Sequence, residues 1–380
     1  MNSESPGSAS HKYPGRAGKW IVVLAFVAAL WVPLLWAPAT LPFSELTRAS
    51  LQEATKSFAA KFPFSKEARR EFDIIRYLLL RAVPPQYLVG RQGWVFYRPE
   101  VVYGGGDGEV LTDYLGELVP SQAVVQTWCD NLRSRRAWLE KRGIVPITII
   151  APNKMTVYGD YLPYGLASKY GRTRVDALMQ NCKDQVIDVR SALSDARTQS
   201  EVYYPQGTHW TSFGAYVAYR AIAEKLAGSR TEIEPIPLTF FATKRHAETA
   251  DAFYYILRPS PQDELEPRHA FPAWSEASGD HAPLLYPGWE PIPRSEWLKP
   301  AGQFLVTRSS DENLPTAVVF HDSFARYWLV GFLAQHFRRA VFVWGPFDPA
   351  IVERESPNVI VIESAERYFT RLVAPGKGQN

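Results

Sequence analysis

The sequence predicts an α/β fold of three layers, a mostly parallel sheet covered on both faces by helices. Two observations carry this expectation. From about residue 120, amphipathic helical patterns alternate with short, continuous apolar runs, and after an irregular stretch the same alternation resumes near residue 317. Uninterrupted apolar runs suit strands buried on both faces, and helices between them supply the crossovers of a parallel sheet. At 380 residues the chain has ample material for one large or two ordinary domains.

The elements follow in order. Trp20 to Ala39 is an uncharged, almost wholly apolar run of 20 residues. At about 1.5 Å per residue it spans roughly 30 Å, the thickness of a hydrocarbon core. Lys12, Arg16 and Lys19 precede it, and no acidic residue occurs between Glu4 and Glu45. The basic flank stays in the cytoplasm, so the remainder is expected on the far side. Ala37-Pro38-Ala39 loosely matches a signal-peptidase site, but the run is longer than a usual signal core and favours an uncleaved anchor. Residues 1–40 are thus read as a cytoplasmic tail and transmembrane anchor, and 41–85 as a linker with an amphipathic helix over Lys66 to Arg81.

Gly90-Arg91-Gln92-Gly93 followed by Trp94-Val95-Phe96-Tyr97 reads as a hairpin. Helices are expected over Ser121 to Arg142 and Arg172 to Cys182, leading to strands Val145 to Ala151 and Gln185 to Val189. A further helix spans Thr211 to Leu226, with Thr211 or Ser212 as cap. Residues 229–312 are proline-rich and poor in periodicity, and read as an irregular insertion. Strand Ala317 to Phe320, helix Phe324 to Gln335, strand Ala340 to Trp344, helix Asp348 to Glu355 and strand Val359 to Ile362 complete the chain to about residue 375.

A formal charge of +3 is too mild for a nucleic-acid partner, and no basic, aromatic-interleaved patch occurs. The aromatic residues, 13% of the chain, are explained by a core rich in Phe and Tyr. Two cysteines without a histidine cluster give no metal site. Cys129 and Cys182 lie on helices that each precede a core strand; a disulfide and a pair of buried thiols both remain open.

Chemistry concentrates in two motifs. Phe320-His321-Asp322-Ser323-Phe324 places a serine where an apolar strand turns into a helix, beside free N–H groups that can stabilise an oxyanion. Gly207-Thr208-His209-Trp210 places a histidine at another strand-to-helix junction. A hydroxyl is a weak nucleophile and needs a base such as imidazole. The pair suggests acyl transfer, with Ser323 as nucleophile and His209 as base.

Several segments resemble the alginate O-acetyltransferase type of SGNH-like protein. They are Gly90 to Tyr97, Ala151-Pro152-Asn153-Lys154 running to Tyr158 and Leu162-Pro163, Gly207 to Tyr216, His321 to Phe324, and Pro357 to Glu363 with Glu366-Arg367. The resemblance covers about residues 86 to 370. It implies an SGNH-hydrolase-like sheet in circularly permuted order, histidine before serine. It also implies a bacterial inner-membrane protein with its domain in the periplasm, a polysaccharide substrate, a multi-spanning membrane acyltransferase as acetyl donor, and no cofactor. In that family an aspartate commonly stands two residues before the histidine; here Gly207 does. Three accounts follow: another carboxylate among Asp188, Asp251 and Asp322 serves, Ser323 and His209 work as a dyad, or the chain binds without catalysis. Of the three carboxylates, Asp322 suits bracing the serine turn better. Asn153 and Lys154, after a core strand, are candidate donors to an acyl oxygen, with a solvent-facing lysine as the alternative; Tyr204 is a candidate pocket wall or core residue. An esterase of the same fold and a noncatalytic polysaccharide-binding subunit are the rival functions.

Overall fold

The structure is a computed structural model that describes residues 86–99, 109–246, 262–269, 274–275 and 304–375. The anchor, the helix expected over 66–81 and Asp251 lie outside the described residues. Among the described residues no helix is long and apolar enough to cross a membrane.

β1 (Tyr87–Val89) and β2 (Val95–Tyr97) form the expected hairpin. The main sheet takes β3 (Val145–Ala151), β4 (Ile187–Asp188), β7 (Trp274–Ser275), β8 (Phe304–Arg308), β9 (Thr316–His321), β10 (Arg339–Trp344) and β11 (Val359–Ala365), in the order β4-β3-β11-β9-β10-β8-β7. The first five strands are parallel; β8 runs antiparallel to β10, and β7 antiparallel to β8. The fold is therefore α/β with a mixed, mostly parallel sheet.

Alternation along β9 separates the two faces. Ala317 and Val319 join a core with Trp210, Tyr219 and Phe332, whereas Val318 and Phe320 face Cys129, Leu178 and Cys182. Side chains alternate with period two along a strand, so a buried central strand must be apolar throughout.

Caps set the helix starts. α1 (Gln122–Glu140) is capped by Ser121, α2 (Arg174–Cys182) by a reciprocal Thr173–Asp176 capping box, and α3 (Ser212–Ala227) by Thr211. Gly214 lets α3 lie tight on the preceding segment: a Cβ there would sit 2.0 Å from the Val202 carbonyl oxygen. After β9, a π-helical turn, Ala325–Leu329, runs into α4 (Val330–Ala334). α5 (Pro349–Glu355) is capped by Asp348.

Cys129 and Cys182 form a disulfide with Cα atoms 5.8 Å apart, joining α1 to the end of α2. Closing a 53-residue separation restricts the unfolded chain by about 4 kcal/mol in the chain-entropy account.

Two regions differ from the sequence expectation. The strand expected over Gln185 to Val189 shortens to β4, because Lys183–Gln185 forms a 3-10 turn and the Asp188 carboxylate accepts the Arg190 N–H at 3.0 Å, turning the chain out of the sheet. The stretch 229–312, read as irregular, supplies an antiparallel pair, β5 (Phe241–His246) with β6 (Gln262–Pro267), and the edge strands β7 and β8. β5 carries exposed Thr243, Lys244 and Arg245, so its polar face hides the strand pattern.

Candidate active site

Ser323 follows the carboxyl end of β9 and begins the helical segment after it. In open α/β sheets this is where ligands bind. The hydroxyl has no hydrogen-bond partner among the described residues, and Ser323 lines a cavity of about 140 Å3 walled by Trp344, Phe347, Ile362, Glu363 and Leu372.

Two carboxyls organise this turn. Asp322 accepts the Phe324 N–H at 2.9 Å and the Ala365 N–H at 2.7 Å, while Glu363 accepts the Asp322 N–H at 3.1 Å. Asp322 thus braces the turn and ties it to β11. The helix N-terminus is largely satisfied from within, since the Phe324 N–H expected to face an oxyanion is already taken. Burial, and then the charge of Asp322, push the Glu363 carboxyl well above the usual carboxylate range. Its Oε1 is buried and unpartnered among the described residues.

His209 is buried in a closed turn. Tyr203 and Trp210 form an antiparallel bridge across it, the Tyr204 N–H donates to the His209 carbonyl at 3.2 Å, and the Gly207 N–H donates to the Tyr204 carbonyl at 3.1 Å. This turn meets the serine turn at Phe324. The His209 and Phe324 rings lie 4.9 Å apart, and the Trp210 indole N–H donates to the Phe324 carbonyl at 2.8 Å. Arg367 adds a second tie, its guanidinium 4.9 Å from the Phe324 ring and donating to Thr208 Oγ1 at 3.2 Å. The two motifs, 114 positions apart at Trp210 and Phe324, therefore converge. No hydrogen bond joins Ser323 to His209 among the described residues. Apo sites often hold such pairs apart until substrate binds.

The other candidates fall elsewhere. Asp188 sits on β4, three strand spacings from β9, or about 14 Å at ~4.8 Å each, and its carboxylate pairs with Arg190 at 2.7 Å; it is not placed to hold the imidazole. Both Asp322 oxygens are occupied by backbone N–H groups, so it does not turn toward His209 either. Tyr204 is a core residue: its hydroxyl donates to Glu264 at 2.6 Å and accepts from the Trp328 indole at 3.2 Å. Asn153 donates its backbone N–H to Glu366 at 2.7 Å. Lys154 is neither solvent-facing nor free to bind an acyl oxygen. It is buried, and its ammonium donates to the carbonyls of Tyr204, Pro205 and Gly207.

Glu363, Glu366 and Arg367 shape this end of the sheet without having been singled out for a role. Their signal was a lone carboxylate ending the apolar run Val359-Ile360-Val361-Ile362. Burial raises the Glu366 carboxyl to about 7, against the bonds from Asn153 and Thr156 that favour its charged form.

Residues 88–268 match the family described as SGNH hydrolase-like domain, acetyltransferase AlgX. A probable alginate O-acetylase AlgJ of Pseudomonas putida is 23% identical over 354 residues, covering 85% of this chain and 81% of that one. The probable alginate O-acetylase AlgJ of Pseudomonas aeruginosa is 21% identical over 338 residues, covering 81% and 77%. Among solved structures, Bacillus cereus PatB1 superposes with a TM-score of 0.52 at 13% identity, over 74% of this chain and 96% of that one, a likeness of fold. Residues 88–268 are thus similar to the SGNH hydrolase-like acetyltransferase domain, as the motifs imply, and the chain as a whole is similar to the alginate O-acetylases.

Proposed function

We propose that this protein moves an acetyl group through Ser323 to a hydroxyl of an exported polysaccharide. The observation that carries the reading is the junction at Phe324, where the histidine turn packs on the residue after a serine that lines a cavity. His209 takes the Ser323 proton as Oγ attacks the acetyl carbonyl, and gives it to the departing donor group. It then takes the proton of the sugar hydroxyl that attacks the acyl-serine, and returns it to Ser323 Oγ. With no carboxylate on Gly207, the pair acts as a dyad whose imidazole is oriented by the turn that carries it. Removing the acid from a serine triad costs about ten-thousand-fold yet leaves substantial catalysis; a dyad of this kind is slow but competent.

The apolar run Trp20 to Ala39 anchors the chain in the inner membrane, with the domain on the periplasmic side. A multi-spanning membrane acyltransferase supplies the acetyl group across the bilayer.

The test is Ser323→Ala in cells, with polymer acetylation read by mass spectrometry. Acetylation is expected to fall at least a thousandfold, and unchanged acetylation sinks the reading. Purified protein given an acetyl ester and an oligosaccharide should yield acetylated sugar; release of acetate alone would mark an esterase.

A further inference from the structure

Lys154 is a buried cation spent on backbone carbonyls, and all three carbonyls belong to the turn that presents His209. The residue lies just past β3 and is 4% exposed. Its Nζ is 3.0 Å from Tyr204 O, 3.0 Å from Pro205 O and 2.5 Å from Gly207 O. The rings of Trp94 and Phe96 lie 5.4 and 5.2 Å from the ammonium, close enough for cation–π attraction.

Three carbonyl dipoles aimed at one point repel one another unless donors satisfy them, and a positive charge satisfies them best. An ammonium has three N–H donors and no acceptor, which matches this set. The Pro205 carbonyl also accepts the Val95 N–H at 2.8 Å, so the hairpin strand β2 and Lys154 hold the turn together. Gly207 has no side chain of its own to orient an imidazole two residues later. Its carbonyl is instead fixed from beneath.

We infer that Lys154 is a positioning residue for the reaction: its ammonium sets the Tyr204–Gly207 turn and thereby the placement of His209 beside Ser323. This rests on the reading of His209 as base. Lys154 does not touch the acyl group, and it acts only through the histidine.

The experiment measures acylation of Ser323 with p-nitrophenyl acetate, following p-nitrophenolate release by purified full-length Lys154→Ala, His209→Ala and the double variant. The ester C–O bond breaks, the Ser323 Oγ–C bond forms, and the hydroxyl proton passes to His209. Lys154→Ala should lower the acylation rate constant about 100-fold, the scale of an ångström-sized misplacement, with the apparent ester affinity changed less than about threefold. The double variant should be no slower than His209→Ala alone, because the lysine has nothing left to position. Losses that multiply in the double variant overturn the inference. So does an unimpaired Lys154→Ala beside an impaired His209→Ala, and that outcome leaves the base assignment standing. An unimpaired His209→Ala removes the base assignment and this inference together. If Lys154→Ala fails to fold, Lys154→Gln, which keeps two N–H donors, carries the same comparison.

Discussion

The serine turn and the histidine turn are held by opposite charges. At the serine turn, backbone N–H groups converge, and the carboxylate of Asp322 with the carboxyl of Glu363 accepts them. At the histidine turn, backbone carbonyls converge, and the Lys154 ammonium donates to them. The difference follows from where each turn lies. A helix N-terminus exposes orphan donors and favours an anion. The tight loop from Tyr204 to Gly207 points carbonyls inward and needs donors, which the Lys154 ammonium supplies. Each charged group satisfies several backbone atoms at once, so each turn depends on one side chain more than ordinary loops do.

The comparison can be broken most forcefully at Asp322. Asp322→Ala leaves the N–H groups of Phe324 and Ala365 without their acceptor; at about 1.5–3 kcal/mol for each bond to a charged group, unfolding in urea should show a loss of about 3 kcal/mol or more. A loss under about 1 kcal/mol would mean that Glu363 alone holds the turn.

A smaller effect is expected at Glu366, whose carboxyl caps the short segment that bears Lys154. Its folded value, about 7, lies above the ordinary 4.5. The folded chain therefore binds the proton more tightly, and this contribution is complete below about pH 4.5 and lost as pH rises through about 7. The size is roughly 2–3 kcal/mol. Unfolding free energies at pH 5 and pH 8 should differ by that much more in the parent than in Glu366→Gln; equal differences would remove the assignment. The smallest change belongs to Glu363→Gln, since the amide oxygen can still accept the Asp322 N–H. Less than about 1 kcal/mol is expected by thermal unfolding. A larger loss would show that Glu363 holds the turn as an anion.

Much of the fold was legible because its signals are local. Ser121, Thr173, Thr211 and Asp348 each cap a helix within a residue or two of the expected start. The apolar runs at 145–151, 317–320, 340–344 and 359–362 all proved to be parallel strands of the sheet. β5, β6, β7 and β8 were missed. They are antiparallel, and β5 has a polar exposed face, which looks irregular when no partner is known. The short β4 was overextended because an Asx turn at Asp188 ends it.

The candidates Ser323 and His209 were read from strand-to-helix junctions, and the structure brings their two turns together at Phe324. Lys154 could not be assigned correctly, since a lysine after a strand ordinarily reaches solvent. Only the carbonyls of a turn 50 residues away make its burial favourable.

By itself the sequence determined the α/β class, the order of the central elements, the helix caps and the two chemical motifs, because periodicity and capping act over a few residues. The tertiary structure decided the Cys129–Cys182 bond, the antiparallel edge, the meeting of the motifs at Phe324 and the use of Lys154. These depend on distances between segments far apart in the chain, which are set when burial brings the two faces of one sheet under their helices.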